Sequence, residues 1–224
     1  MQQTNHLETL IHLYEGPFLL NNKKGNISSK VPFDIKKGSV PILLSMPHSV
    51  VHLRNHKLKE ADDYTGSIGL IVQSLTNCYS LYSTRLSEED PNYVKDGLYK
   101  KELVQLIKRH NIAAVIDIHG ASLKREFDID LGTLHGKSIK HAYVENIREI
   151  FNRNNIKDVR ENDTFPATHT GTITSYVYTY TGIPCIQIEI NGKYRNPLAD
   201  MENIRSIIHS LVDIVDYLSV EIVV

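Results

Sequence analysis

Apolar residues along this chain follow two patterns that alternate. Short unbroken runs occur at Val40 to Met46 (VPILLSM), Ile112 to Ile118 (IAAVIDI) and Ile183 to Ile190. Apolar runs of this length read as strands buried on both faces. Between them, apolar residues recur with helical spacing. Ile68, Ile71, Val72 and Leu75 share a face within Asp62 to Asn77, and Leu98, Leu103, Leu106, Ile107 and His110 form a second set. Ile139, Tyr143, Ile147, Ile150 and Phe151 make a third stripe. Leu198, Met201, Ile204, Ile208, Leu211 and Val215 predict a long amphipathic helix near the end of the chain. Tyr79 to Thr84 and Phe127 to Leu134 read as further strands. Thr172 to Tyr180 has no clear period; its Thr and Tyr content favours a strand. Asn21 to Asn26 (NNKKGN) is a loop signal that sets apart the piece Leu7 to Leu20.

Strands alternating with helices predict an α/β fold, a sheet covered on both faces. In such sheets, sites form beyond the carboxyl ends of the strands. With 224 residues, 41% of them hydrophobic, the chain can bury one sizeable core, so we expect a single domain over residues 1–224. The 25 basic and 26 acidic residues nearly cancel, which gives no reason to expect nucleic acid or an anionic membrane as a partner. The two cysteines, Cys78 and Cys185, form no CxxC pair, and Cys185 lies in an apolar run. A reducing compartment follows more simply than a disulfide framework. Met1 to Thr9 is polar, unlike a signal peptide, and no apolar run approaches the roughly 20 residues of a membrane span. The expectation is a soluble cytoplasmic protein.

Three strands end on groups that bind metal or move protons: Ser45-Met46-Pro47-His48-Ser49, Ile116-Asp117-Ile118-His119-Gly120 and Ile186-Gln187-Ile188-Glu189-Ile190-Asn191. Glu189 shares a strand face with Gln187, opposite Ile186, Ile188 and Ile190. A carboxylate buried there must find a cation or raise its pKa, and a raised pKa suits a general base. The blander reading is a carboxylate satisfied by backbone donors. A lone histidine after a strand is commonly structural, but His48 and His119 end two separate strands. Asp117, two residues before His119, is positioned to accept that histidine's second ring N–H. With two cysteines the chain cannot build a cysteine-rich structural zinc site, whereas a catalytic site needs three His or carboxylate ligands and an open position. The third ligand is expected within Glu60-Ala61-Asp62-Asp63, although acids there also suit a helix start. His135 and His169 lie in Gly/Thr-rich loops and are read as lining a pocket.

Taken together, these segments resemble the N-formylglutamate amidohydrolase family. Ser45 to Ser49 is similar to S-x-P-H-[SA]-G, Asp63-Tyr64 to T-D-W, and Asp117 to His119 to D-x-H. Leu131-Gly132-Thr133 and Gln187 to Asn191 also match, and Thr170 to Thr174 (TGTIT) is similar to G-G-Y-I-T. The resemblance runs from about Val40 to Arg195. It implies a three-layer α/β/α fold of carboxypeptidase type with a mixed, largely parallel sheet. It implies zinc on His48, His119 and Asp63, with Asp62 as the alternative, and Glu189 as the base activating a water. The implied substrate is a small N-acyl amino acid such as N-formylglutamate, with Asn92 and Thr174 among its binding residues. Arg85 is expected to bind the substrate carboxylate or the developing oxyanion; Arg125, Arg160 and Arg195 are further carboxylate candidates.

This sequence departs from the family pattern in two places. Val50 stands where the family has Gly, and Thr84 to Tyr93 matches S-R-x-x-x-D-x-N-R only with an extra residue and with Tyr93 in place of the final Arg. These departures keep open a non-catalytic or differently specific binding protein of the same fold. Other enzyme classes lack their signatures: there is no G-x-S-x-G elbow and no P-loop or G-x-G-x-x-G.

Overall fold

The computed structural model describes residues 2–222. Nine strands and six helices follow one another as α1 (Gln2–Lys23), β1 (Phe33–Lys36), β2 (Val40–Met46), β3 (His52–Arg54), β4 (Lys57–Lys59), α2 (Thr65–Thr76), β5 (Cys78–Ser83), α3 (Leu98–His110), β6 (Ala114–Ala121), β7 (Ile129–Gly132), α4 (His141–Arg153), β8 (Val159–Glu161), α5 (Ile173–Thr181), β9 (Cys185–Asn191) and α6 (Met201–Glu221). Seven strands form one sheet in the order β1-β5-β2-β6-β9-β7-β8. β2 pairs in parallel with β5 and β6, β6 with β9, and β7 with β8, while β1 and β7 run antiparallel to β5 and β9. The sheet is therefore mixed and largely parallel, as expected.

The apolar runs fill its centre because each is covered on both faces. Ile42, Leu44, Ile116, Ile118, Ile186 and Ile188 point into a core shared with Ile68 and Ile71 of α2, Ile147 of α4 and Ile204 and Leu211 of α6. Leu43, Val115 and Cys185 point the other way, against Leu103 and Leu106 of α3 and Ile173 and Val177 of α5. α1 lies on α2 through Ile11 and Phe18, and it breaks where Asn21 and Asn22 adopt positive φ, within the loop signal. Val50, the departure from the family's Gly, is buried in the larger core, where its side chain packs.

Thr172 to Tyr180 overturns a propensity reading. The segment forms α5: the Thr172 side chain caps it by accepting the Ser175 N–H, and Gly182 ends it at φ 72°. Ile173 and Val177, one turn apart, both reach the core, so tertiary burial outweighs the strand preference of Thr and Tyr. The sequence also gave no warning of β1, β8 or the β3–β4 hairpin. These pieces are short, and β1 and β8 lie at the sheet edges, so no long apolar run marks them.

Candidate metal and catalytic site

Asp117 and His119 of β6 and Gln187 and Glu189 of β9 occupy the sheet face opposite Ile116, Ile118, Ile186 and Ile188. The two strands are in register there, Asp117 beside Gln187 and His119 beside Glu189. His48 follows the end of the neighbouring β2. All three strands thus deliver polar side chains to one place, beyond the apolar cover of α3 and α5. The cavity they enter is about 580 Å³ and is also lined by Arg54, Tyr93, Arg125, Phe165 and His169. A groove of about 1100 Å³, bordered by Phe18, Phe33 and Tyr82, lies elsewhere and contains neither of the two groups of possible metal ligands found among the described residues.

Asp62 completes the cluster. Its N–H donates to the His48 carbonyl at 2.8 Å, which folds the segment after the hairpin back over the end of β2. Its Oδ2 then stands 3.3 Å from His48 Nδ1 and 3.4 Å from His119 Nδ1. The opposite ring nitrogens are both occupied: His48 Nε2 lies 2.8 Å from Asp90, and His119 Nε2 lies 3.0 Å from Asp117. Asp90 and Asp117 are fully buried. Two imidazoles each held by a carboxylate at one nitrogen and converging at the other are the usual setting of a histidine-ligated metal. One candidate atom from each of His48, Asp62 and His119 lies within 4.8 Å of the others. These three donors, facing an open cavity, fit zinc in a site that leaves a position free. His48, His52 and Asp90 form a second such group, but Arg54 Nε already sits 2.5 Å from Asp90, and a cation there would meet that guanidinium.

The electrostatics agree with a site built for positive charge. Burial opposes protonation of His48, yet its hydrogen bonds to Asp62 and Asp90 outweigh that and raise its pKa. For His119, burial is outweighed by the charge and hydrogen bond of Asp117, and the pKa is driven well up. Asp62 is held below the usual carboxylate range because its bonds to His119 and His48 overcome burial. Glu189 differs. Burial dominates, with the His119 charge only partly offsetting it, and pushes the carboxyl up to about 7.

The model of the N-formylglutamate amidohydrolase family matches residues 55–194. The chain belongs to that family. As an N-formylglutamate amidohydrolase family member it is an amide hydrolase by descent, and its fold agrees. Among solved structures, an N-formylglutamate amidohydrolase from Ralstonia eutropha JMP134 is similar over 83% of this chain and 97% of its own, with TM-score 0.58 and 13% identity. A bacteriophage poly-gamma-glutamate hydrolase is similar over 87% and 93%, with TM-score 0.53 and 14% identity. A metallo-carboxypeptidase from Pseudomonas aeruginosa is similar over 80% and 56%, with TM-score 0.50 and 12% identity. At these identities the likeness is one of fold. Among curated proteins, none matches this family member in sequence.

Several residues expected at the site lie elsewhere. Asp63 points away: its carboxylate pairs with Lys23 at 2.7 Å and is 42% exposed, because Asp62 takes the inward position at the turn. Arg85 is absent from the cavity wall. Its guanidinium donates to the carbonyls of Ser29, Lys30 and Leu86, which anchors the N-terminal loop. His135 is exposed in a left-handed turn outside the cavity, and Thr174 is buried on α5 with its hydroxyl near Cys185 Sγ. Arg160 pairs with Asp158 on the surface. Arg195 is buried behind the site, donating to the carbonyls of Ile190, Ala121 and Asp63. Its guanidinium fills the space beside Gly120, where a Cβ would come within 2.5 Å of it. Asn92, His169 and Arg125 do line the cavity. Asn92 also accepts the Ile173 N–H at the start of α5.

No pattern marks His52, whereas Asp90 falls at the Asp of the loosely matched S-R-x-x-x-D-x-N-R segment, a signal that points to the residue but not to its partnership with His48. Asp90 lies 42 positions from the histidine it holds, in the segment where the family resemblance is loosest. His52 stacks on His48 with ring centroids 3.9 Å apart, and it comes from the short hairpin that no pattern announced.

Proposed function

We propose that this chain hydrolyses the amide bond of an N-acyl amino acid, using zinc held by His48, Asp62 and His119. The observation that carries the reading is the convergence of both Nδ1 atoms on Asp62 while both Nε2 atoms are held by the separate buried carboxylates Asp90 and Asp117. Bound zinc would polarise the substrate carbonyl and lower the pKa of water from 15.7 to about 7.

The chain's own groups have these parts. Asp90 and Asp117 fix ring orientation and hold the proton on Nε2, which leaves Nδ1 as the nitrogen that would bind the metal. Glu189, register partner of His119, accepts the proton of the attacking water and returns it to the leaving amine. Its buried position suits both steps, since a carboxyl near 7 can hold or release a proton at neutral pH. The hydroxide adds to the amide carbon, the C–N bond breaks, and carboxylate and amine leave.

The test is a panel of N-acyl amino acids varied in acyl group and side chain, run on metal-stripped and zinc-reloaded protein with metal analysis alongside. About one zinc per chain, with turnover that follows loading, is expected. Saturable binding without turnover after reloading would overturn the catalytic reading in favour of a binding protein.

A further inference from the structure

Resting on that reading, we propose that Arg125, in the loop after β6, is the specificity residue that holds the substrate's carboxylate. The position expected to supply an arginine carries Tyr93 instead. The Tyr93 ring stacks on His169 at 4.8 Å, and Arg54 Cζ lies 5.2 Å from its centroid. The Arg85 and Arg195 guanidiniums are each turned onto three backbone carbonyls, and neither lines the cavity. Arg54 reaches the cavity, but its Nε is bound to buried Asp90 at 2.5 Å, so its charge is already matched.

Arg125 lines the same cavity as Glu189 and is exposed. Among the described residues its guanidinium makes no ion pair. It lies over the Phe165 ring, with Cζ 5.3 Å from the centroid, and stacking of this kind leaves the N–H edge of a guanidinium free. Its platform is firm: the Phe165 N–H donates to buried Asp130 at 2.8 Å, and the ring meets Phe127 edge-on. The backbone is held on both sides, with the Arg125 N–H on the Ser122 carbonyl and the Arg125 carbonyl accepting from Asn191 Nδ2 at 2.9 Å. Asn191 follows Glu189 by two residues on β9, so the loop is tied to the strand that carries the base. A planar fork stacked on a held ring at the rim of a cavity containing Asp62 and Glu189 supplies the cation that an anionic ligand needs there. Lys59 also lines the cavity, but as a flexible ammonium on the exposed hairpin strand β4.

The experiment compares N-formyl amino acids with their C-terminal carboxamides on zinc-loaded wild type, Arg125→Met, Arg125→Lys and Lys59→Met. Calorimetry with glutarate on the same proteins reads binding apart from turnover. Arg125→Met should lose roughly 10- to 100-fold in kcat/KM on the acid, mostly through KM, and little on the amide. Arg125→Lys should recover part of the loss, Lys59→Met should behave as wild type, and glutarate affinity should fall in Arg125→Met by a similar factor. Equal losses on acid and amide, or discrimination lost in Lys59→Met instead, would overturn the assignment while leaving amide hydrolysis intact. If no substrate turns over, the hydrolytic reading fails alone provided glutarate still binds wild type and not Arg125→Met. Absence of glutarate binding in wild type overturns the assignment itself.

Discussion

Glu189 and His119 are register partners on adjacent parallel strands, their side chains on the same face of the sheet. That pairing puts a buried carboxyl, pushed up to about 7, beside an imidazole that Asp117 drives well up. A base acts only when deprotonated, so turnover should rise with pH through the Glu189 pKa. Zinc loading displaces the protons held by His48 and His119, so the ion's charge replaces theirs beside Glu189. The acid limb of kcat/KM in the loaded enzyme should therefore lie near pH 7. Glu189→Gln should lower kcat by roughly 10²- to 10⁴-fold with zinc content retained. A variant that keeps wild-type turnover excludes Glu189 as the base.

Asp62 and Asp63 are neighbours with opposite environments. Asp62→Asn should weaken zinc binding by more than the roughly 100-fold seen at the top of the range for outer carboxylates. Asp63→Asn loses only a half-exposed pair with Lys23, so zinc affinity should be unchanged and stability should move by about 1 kcal/mol or less. Chelator competition on both variants checks this; the reverse ranking would restore Asp63 as the ligand.

Asp90 is fully buried and holds His48 Nε2. Asp90→Asn keeps the shape but removes the charge, and zinc affinity should fall roughly 10- to 100-fold while the fold persists. Zinc titration followed by circular dichroism separates the two effects. Unaltered affinity would mean that His48 needs no carboxylate partner.

Lys100 of α3 is fully buried, donates to the Gly171 carbonyl and sits over the Tyr176 ring. Burial pushes its ammonium down to about 8 from 10.5. The folded chain therefore releases this proton first, the unfolded chain binds more protons between those values, and stability should rise with pH across that window. Relative to Lys100→Met, wild type should gain up to about 3 kcal/mol between pH 8 and 10.5. Urea unfolding of both proteins at several pH values measures the difference; parallel curves would show that Lys100 titrates normally.

Much of this could be read before any fold was known. VPILLSM, IAAVIDI and the run through Ile190 were long enough, and apolar enough, to mark the three central strands, and His48, His119 and Glu189 stood at their ends. Strand alternation alone put Glu189 on the face opposite the isoleucines, because the period of a strand is a local property of the backbone. Helical spacing likewise announced α3, α4 and α6. Other features depended on contacts remote in sequence. Asp62 rather than Asp63 faces the histidines because its N–H closes onto the His48 carbonyl. Asp90 reaches His48 across 42 positions. Arg85 is drawn off by carbonyls at Ser29 and Lys30, and α5 is helical because Ile173 and Val177 find a core to enter. Chain-local chemistry thus set which groups each strand could offer, and tertiary packing chose among neighbouring carboxylates and arginines, since an adjacent residue at a turn can face either solvent or site at little local cost.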